Sequence, residues 1–225
     1  MSPTTMSKRI KHMTRILPGI LAMAAVVVAS NILVQFLLGN WLTWGAFTYP
    51  IAFLVTDVMN RVYGVQAARR VVFTGFLVGV VCSLIGSQIM LQGDGYEFAA
   101  VSLRVAVGSG IAFLTAQLLD VAIFDRLRGG RWWRAPLAST LVGSAVDTVL
   151  FFSIAFSATI GVFFSENANL ETSWATEAVP FLGAGGVVPL WVSLAFADLL
   201  VKLSLALVAL VPFRVLVAKL SPNPA

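Results

Sequence analysis

The chain has 225 residues, 59% of them hydrophobic and 11% charged, with a mean hydropathy of +0.91. That balance excludes a soluble domain, whose water-facing surface needs far more charge. The net charge of +5 does not signal nucleic-acid binding, because the basic residues are split among several membrane edges instead of forming one stripe.

The apolar runs are continuous for about twenty residues or more, whereas a membrane β-barrel needs alternating segments of about ten. Helices follow, since in lipid each backbone polar group must be satisfied within its own segment. The expected fold is an all-α integral membrane protein, a bundle of six transmembrane helices. The spans read as Leu17 to Gly39, Trp44 to Tyr63, Ala68 to Leu91, Val101 to Phe124, Pro136 to Ser157 and Val187 to Phe213. Residues 1–225 then form a single transmembrane domain, with tails at 1–16 and 214–225 flanking a bundle at 17–213.

Charges outside the spans sort by side. Lys8, Arg9, Lys11 and Arg15 precede the first, and Arg61, Arg69 and Arg70 join the second to the third. Arg126, Arg128, Arg131 and Arg134 join the fourth to the fifth, and Arg214 and Lys219 follow the sixth. The alternate connections are acidic, with Asp94 and Glu97, then Glu166, Glu171 and Glu177. Six spans with every basic cluster on one side put both termini in the cytoplasm by the positive-inside rule.

In chain order, the N-terminus resembles a signal peptide, but its apolar run continues to Leu38, which fits a span better than a cleavable segment. Asn31 and Gln35 lie four apart and share a face, for interhelical hydrogen bonding or, at Asn31, a ligand contact. Trp41 and Trp44 mark an interface belt. In the second span Pro50 predicts a kink or broken helix, and Asp57 lies in the apolar TYPIAFLVTDVMNRVYG. Gly75, Gly79, Ser83 and Ser87 form a stripe for close helix packing in the third, where Cys82 reads as a small buried hydrophobe. Gln117 and Asp120 are three apart in the fourth span and point the same way, and Arg104 opens it, set to counter an aspartate or a headgroup. Trp132 and Trp133 anchor the next loop. Thr140, Ser144, Asp147 and Phe151 share a face of the fifth span. A loop with an interfacial piece around Trp174 follows, and the sixth span holds Asp198 and Lys202, four apart, before ending near Pro212.

Depth tests whether these polar residues belong together. At about 1.5 Å per residue, Asp120 lies about 6 Å from the cytoplasmic end of its span, Asp57 about 9 Å, Gln117 about 10 Å, Asp147 and Lys202 about 16 Å, and Asn31 about 21 Å. They occupy one slab and predict a shared polar cavity. Ionisable groups at that depth cost several kcal/mol unless paired or wetted, so they mark a site. The chemistry is narrow. The single histidine, His12, sits in the basic tail, and no GxxxxGK[ST] loop is present, which excludes histidine-based hydrolysis or metal binding within the membrane and ATP hydrolysis by this chain. Neither Asp57 nor Asp147 has the glycine context of intramembrane aspartyl proteases. A solute pathway without cofactor or metal remains, with a membrane enzyme as the other class.

SNILVQ, TWGAFTYPIAFLVTD with YGVQAARR, RVAVGSGIAFLTAQLLDV, FDRLRGGRWWRAPLASTLVGSAVDTVLFFSIAF and DLLVKLSLALVALVP resemble the queuosine precursor transporter family, also called the vitamin uptake transporter family. The similarity covers about residues 28–215. It implies an inner-membrane importer of 7-cyano-7-deazaguanine and its aminomethyl relative for tRNA modification, with no direct nucleic-acid contact. The family is also likened to substrate-binding subunits of energy-coupling-factor importers, so an energising ATPase complex stays open as a partner, as does a homo-oligomer. Many relatives carry an acid where Arg61 follows Asn60, and any role for that acid does not transfer.

The implied ligand suits the residues. A guanine-like edge offers adjacent N–H and amino donors to one carboxylate and a carbonyl to a donor. Asp57, Asp120 or Asp147 fits the first role, with Asp57 and Asp147 the leading ligand or coupling acids. Gln117, Asn31 or Lys202 fits the second. Phe151, Phe152 or Phe53 offers a stacking face, and Thr56, Asp198 and Arg104 stand by as accessory or coupling groups.

Overall fold

The computed structural model describes residues 3–33, 36–39, 42–92 and 97–221, with side chains from residue 14 onward apart from those at 37 and 43. Gln35, Trp41 and Asp94, and the side chains of Lys8, Arg9, Lys11 and His12, lie outside the described residues.

In chain order the elements are α1 (Pro3–Leu33), a short hairpin of β1 (Leu37–Leu38) and β2 (Leu42–Thr43), α2 (Gly45–Thr48), α3 (Ile51–Tyr63) and α4 (Val65–Gly86). A second hairpin, β3 (Met90–Gln92) with β4 (Glu97–Ala99), leads to α5 (Leu103–Leu127) and α6 (Arg134–Phe156). Then come α7 (Ala158–Gly161), α8 (Glu166–Leu170), a 3-10 turn at Ser173–Thr176, the hairpin β5 (Ala178–Pro180) and β6 (Val187–Pro189), and finally α9 (Leu190–Leu220). Each hairpin is antiparallel; in the last, Val179 faces Val188. The protein is an all-α membrane protein whose few strands belong to its connections.

Among the described residues five helices are long and apolar enough to cross a bilayer: Thr14–Leu33 within α1, α4, α5, α6 and α9. The expected second span departs from this pattern. Its longest helix, α3, has 13 residues, about 20 Å, short of the roughly 30 Å hydrocarbon core. The interruption is at Pro50, as its missing N–H predicts. The backbone stays right-handed through Tyr49 and Pro50, but the bonds tighten to three-residue closures, Ala52 N–H to Tyr49 C=O at 3.0 Å and Phe53 N–H to Pro50 C=O at 3.2 Å.

Other expected boundaries also move. The first span stops at Leu33, not Gly39, because Gly39 adopts φ +67° in the hairpin turn, a left-handed conformation that suits glycine. The third stops at Gly86, and Met90 and Leu91 go to β3. The helix expected to end near Pro212 continues to Leu220, since a proline within an apolar helix kinks the rod without supplying a partner for a broken end. Its next residue, Phe213, is buried and packs edge-on against Phe124 at 6.1 Å.

The short α3 occupies the centre. It touches α1, α4, α5, α6 and α9, and Ala52, Phe53, Thr56, Asp57, Met59 and Asn60 are buried along it. Against lipid tails apolar burial gains little, so close approach and dispersion must hold helices together. Gly143 of α6 shows the fit: a Cβ there would lie 2.7 Å from the Phe53 ring. Gly64, at φ +85°, ends α3 and starts α4 in one residue, a turn that glycine makes without strain. Leu77, Leu84, Val149, Val208 and Val211 face outward at 62–69% exposure, the lipid-facing surface of such a bundle.

Three of the four basic edges meet at one physical end. Arg61 donates to the Arg128 carbonyl at 2.7 Å, and Arg128 pairs with Asp125. One Arg128 nitrogen reaches both the carbonyl and the side-chain oxygen of buried Asn60, at 2.5 and 2.7 Å, and Asn60 donates to Val121 C=O. The Arg214 guanidinium lies over Trp132, 4.9 Å from its ring centre.

Candidate functional site

The predicted polar residues resolve into two neighbouring clusters and two separate positions. The first cluster joins α3, α5 and α6. Asp57, 2% exposed, accepts hydrogen bonds from Ser139 at 3.2 Å and Thr140 at 3.1 Å, one on each oxygen. Asp120 is fully buried beside Asp57, yet no donor reaches either of its oxygens. Next to Asp57 in sequence, the Thr56 hydroxyl lies 2.6 Å from Gln117 Oε1 and 3.0 Å from the Ala52 carbonyl. Gln117 is fully buried, and its Nε2 has no partner. Buried polar groups left open in this way are rare and costly.

The second cluster joins α6 and α9 and is closed. The Lys202 ammonium reaches Asp147 at 2.7 Å, Asp198 at 2.5 Å and Thr148 at 3.2 Å, three acceptors for its three protons. Thr148 donates to Asp198 at 2.8 Å. The Tyr49 hydroxyl donates to the second Asp147 oxygen at 3.3 Å, and its ring faces the ammonium at 5.5 Å. Asp198 therefore works with Lys202 within one helix and also across to α6. Between the clusters on α6 lies Ser144, buried and with an unpartnered hydroxyl. Thr140 and Asp147 are separated by about 10 Å of helix rise.

Tyr49 also lines a cavity of about 430 Å³ between α1, α4 and α5, whose walls include Asn31, Phe76, Phe113 and Ser83. The third-span stripe thus packs and also hollows. Gly75 abuts Met23, 2.6 Å from an ideal Cβ, while Ser83 and Ser87 face the cavity. Asn31 borders it and donates to its own helix at Val27 C=O, 2.9 Å. On the other side, a niche of about 10 Å³ touches Asp57, Thr140, Pro50 and Phe213, room for about one water.

The remaining predicted residues lie elsewhere. Arg104 is 3% exposed and holds neutral oxygens: the carbonyls of Ile154 and Ser157, the Asn169 side chain at 3.0 Å and Thr172. It pins the segment carrying α7 and α8 to the end of α6, and among the described residues no aspartate pairs with it. Phe151 packs edge-on against Phe152 and Phe156, and Phe53 is fully buried against Gly143, so the aromatic faces on the cavity are those of Tyr49, Phe76 and Phe113. Sequence reasoning missed Tyr49, Ser139 and Thr148. The signal for Tyr49 was its place before Pro50, at the one joint of the central helix.

A broken central helix, two open polar groups on one helix face and a closed ion-pair network beside a groove are suited to binding a neutral polar solute inside a bilayer. Residues 43–217 match the family model described as "Putative vitamin uptake transporter". The chain is 40% identical over 152 residues to the queuosine precursor transporter of Escherichia coli, covering 63% of this chain and 69% of the relative. It is 34% identical over 177 residues to a "Probable queuosine precursor transporter" of Haemophilus influenzae, covering 76% and 66%, and 25% identical over 201 residues to one of Bacillus subtilis, covering 83% and 76%. No solved structure matches. The chain belongs to the vitamin uptake transporter family, a family of multi-pass membrane transporters and not of enzymes.

Proposed function

We propose that this protein imports deazapurine precursors of queuosine, 7-cyano-7-deazaguanine and its aminomethyl relative, across the inner membrane. In this reading segment 44–63 completes six crossings, and the basic edge and both termini face the cytoplasm. The observation that carries the reading is the open pair on α5: Gln117 Nε2 and both Asp120 oxygens, buried and without protein partners. A guanine-like edge fills them, its N–H and amino group donating to Asp120 and its carbonyl accepting from Gln117.

The groove beside α1 and α4 admits a bicyclic ring and offers the Tyr49 face for stacking, with Asn31 on its wall. Behind that wall Tyr49 is tied to Asp147, which Lys202 holds in turn. The names of the relatives and the family match support the substrate class.

The test uses a host unable to make queuosine precursors and lacking any energy-coupling-factor complex. Supplied with 7-cyano-7-deazaguanine, cells expressing this chain regain queuosine in tRNA. Gln117→Leu, confirmed in the membrane, lowers initial uptake by about tenfold, the loss expected for one buried hydrogen bond of about 1.4 kcal/mol. Equal uptake by wild type and variant contradicts the site, and no restoration by wild type contradicts transport by this chain alone.

A further inference from the structure

The transport reading leaves Asp57, the neighbour of Asp120, unused. Asp57 on α3 and Asp120 on α5 lie between two contacts that join those helices, Thr56 to Gln117 at 2.6 Å and Asn60 to Val121 at 3.1 Å, and among the described residues no salt bridge reaches either. Asp57 has a hydroxyl donor on each oxygen. Asp120 has none, although a buried carboxylate without donors is among the costlier arrangements in a protein.

Among the described residues the surroundings supply no cation. On α3 the next charge, Arg61, is turned to the Arg128 carbonyl. On α5, Asp125 and Arg128 engage each other and Asn60. On α6 only the Ser139 and Thr140 hydroxyls face the pair, since Arg134 is exposed and Asp147 is held by Lys202. On α9, Lys202 and Asp198 are committed to each other and to Asp147, and Arg214 lies over Trp132. Arg15 on α1 and Arg69 and Arg70 on α4 are exposed.

Two like charges in contact at low dielectric repel strongly, and a hydrogen between them removes the repulsion and gives Asp120 its missing donor. The niche bordering Asp57 holds about 10 Å³, too little for a larger cation. That niche, walled by Phe213 and Pro136, lies on the side of the basic end.

We propose that the Asp57–Asp120 pair is a proton-binding site, and that a proton held there moves inward together with the heterocycle. Asp57 carries the proton and donates to Asp120. Asp120 keeps lone pairs enough for this donor and the two donors of the ring edge. The loaded site then carries one negative charge, where an unprotonated site would carry two. One proton is bound from outside with the substrate and released inside with it, through the niche at Asp57. The coupling rests on the transport reading; the proton site does not.

Infrared titration of the purified full-length protein in liposomes tests the site without substrate. The expected result is a carboxylic C=O band that disappears on alkalinisation and is lost or moved in both Asp57→Asn and Asp120→Asn. A spectrum without such a band, or a band untouched by both substitutions, overturns the site.

Coupling is read with labelled 7-cyano-7-deazaguanine in sodium-free proteoliposomes containing a trapped pH dye. An outside-acid gradient of one pH unit should drive about tenfold accumulation and acidify the lumen as substrate enters. In Asp120→Asn the ratio of uptake with and without the gradient should fall to about one. Wild-type accumulation that ignores the gradient, or requires sodium, overturns the coupling. Absence of wild-type counterflow overturns transport and coupling together, with the infrared result still deciding the site.

Discussion

Lys202 is surrounded by Asp147, Asp198 and Thr148, and its charge offsets two carboxylates that would otherwise face each other in a dry interior. Lys202→Met removes that offset and should cost about 3–5 kcal/mol, the usual penalty for stripping one partner from a buried ion pair. Asp198→Asn leaves the Asp147–Lys202 pair intact. Thermal unfolding in detergent should therefore show a much larger drop in midpoint for Lys202→Met than for Asp198→Asn. Arg104 solves its burial differently: its fork takes carbonyls at the C-terminal end of α6, where unpaired oxygens and the helix dipole favour a positive charge. The sequence marked each of these residues, because a charge in an apolar run stands out. It did not show the pairings, since Asp147 and Lys202 are 55 residues apart and Asp57 and Thr140 are 83 apart. Tyr49 passed unnoticed because a tyrosine at a span edge reads as an interface anchor.

At the level of elements, α3 sets the behaviour of the rest. It carries Asp57 and Asn60, it is short, and its joint at Pro50 is closed by tightened turns. Pro50→Ala restores a donor and favours one straight rod from α2 into α3, which shifts Tyr49 relative to Asp57 by part of a turn. Its expected effect is a several-fold fall in precursor uptake at equal membrane abundance, with a melting midpoint equal to or above that of wild type, because proline within a helix costs about 3 kcal/mol relative to alanine. Unchanged uptake in the same assay would remove the joint from the transport cycle. The interruption was legible from Pro50 alone. The continuation of α9 through Pro212 was not, because the same residue type ends a helix in water and only bends one that lipid and neighbours surround. The early end of α1 was hidden too: the apolar run continues into a hairpin whose turn depends on Gly39.

For the whole molecule, the basic edges form one face where Arg61, Arg128 and Arg214 engage their neighbours. With that face in the cytoplasm, alkaline phosphatase fused after Glu171 should be active in the periplasm and inactive when fused after Gly129, and a green fluorescent protein at the C-terminus should fluoresce. The reverse pattern would invert the topology. The membrane class was readable from composition, because it follows from transfer energies that each residue contributes independently. The small helices and hairpin between Ser157 and Leu190 were not, since their shape depends on Arg104 and Trp174 docking from distant segments.

The grip of Arg128 on Asn60 has a kinetic meaning. One guanidinium nitrogen spans the main-chain and side-chain oxygens of a single residue at the end of α3, so separating α3 from α5 there must break both bonds almost at once. Such a latch resists small fluctuations and yields only to a committed movement. In the proposed transport cycle, passage toward the basic end would then be set by a threshold.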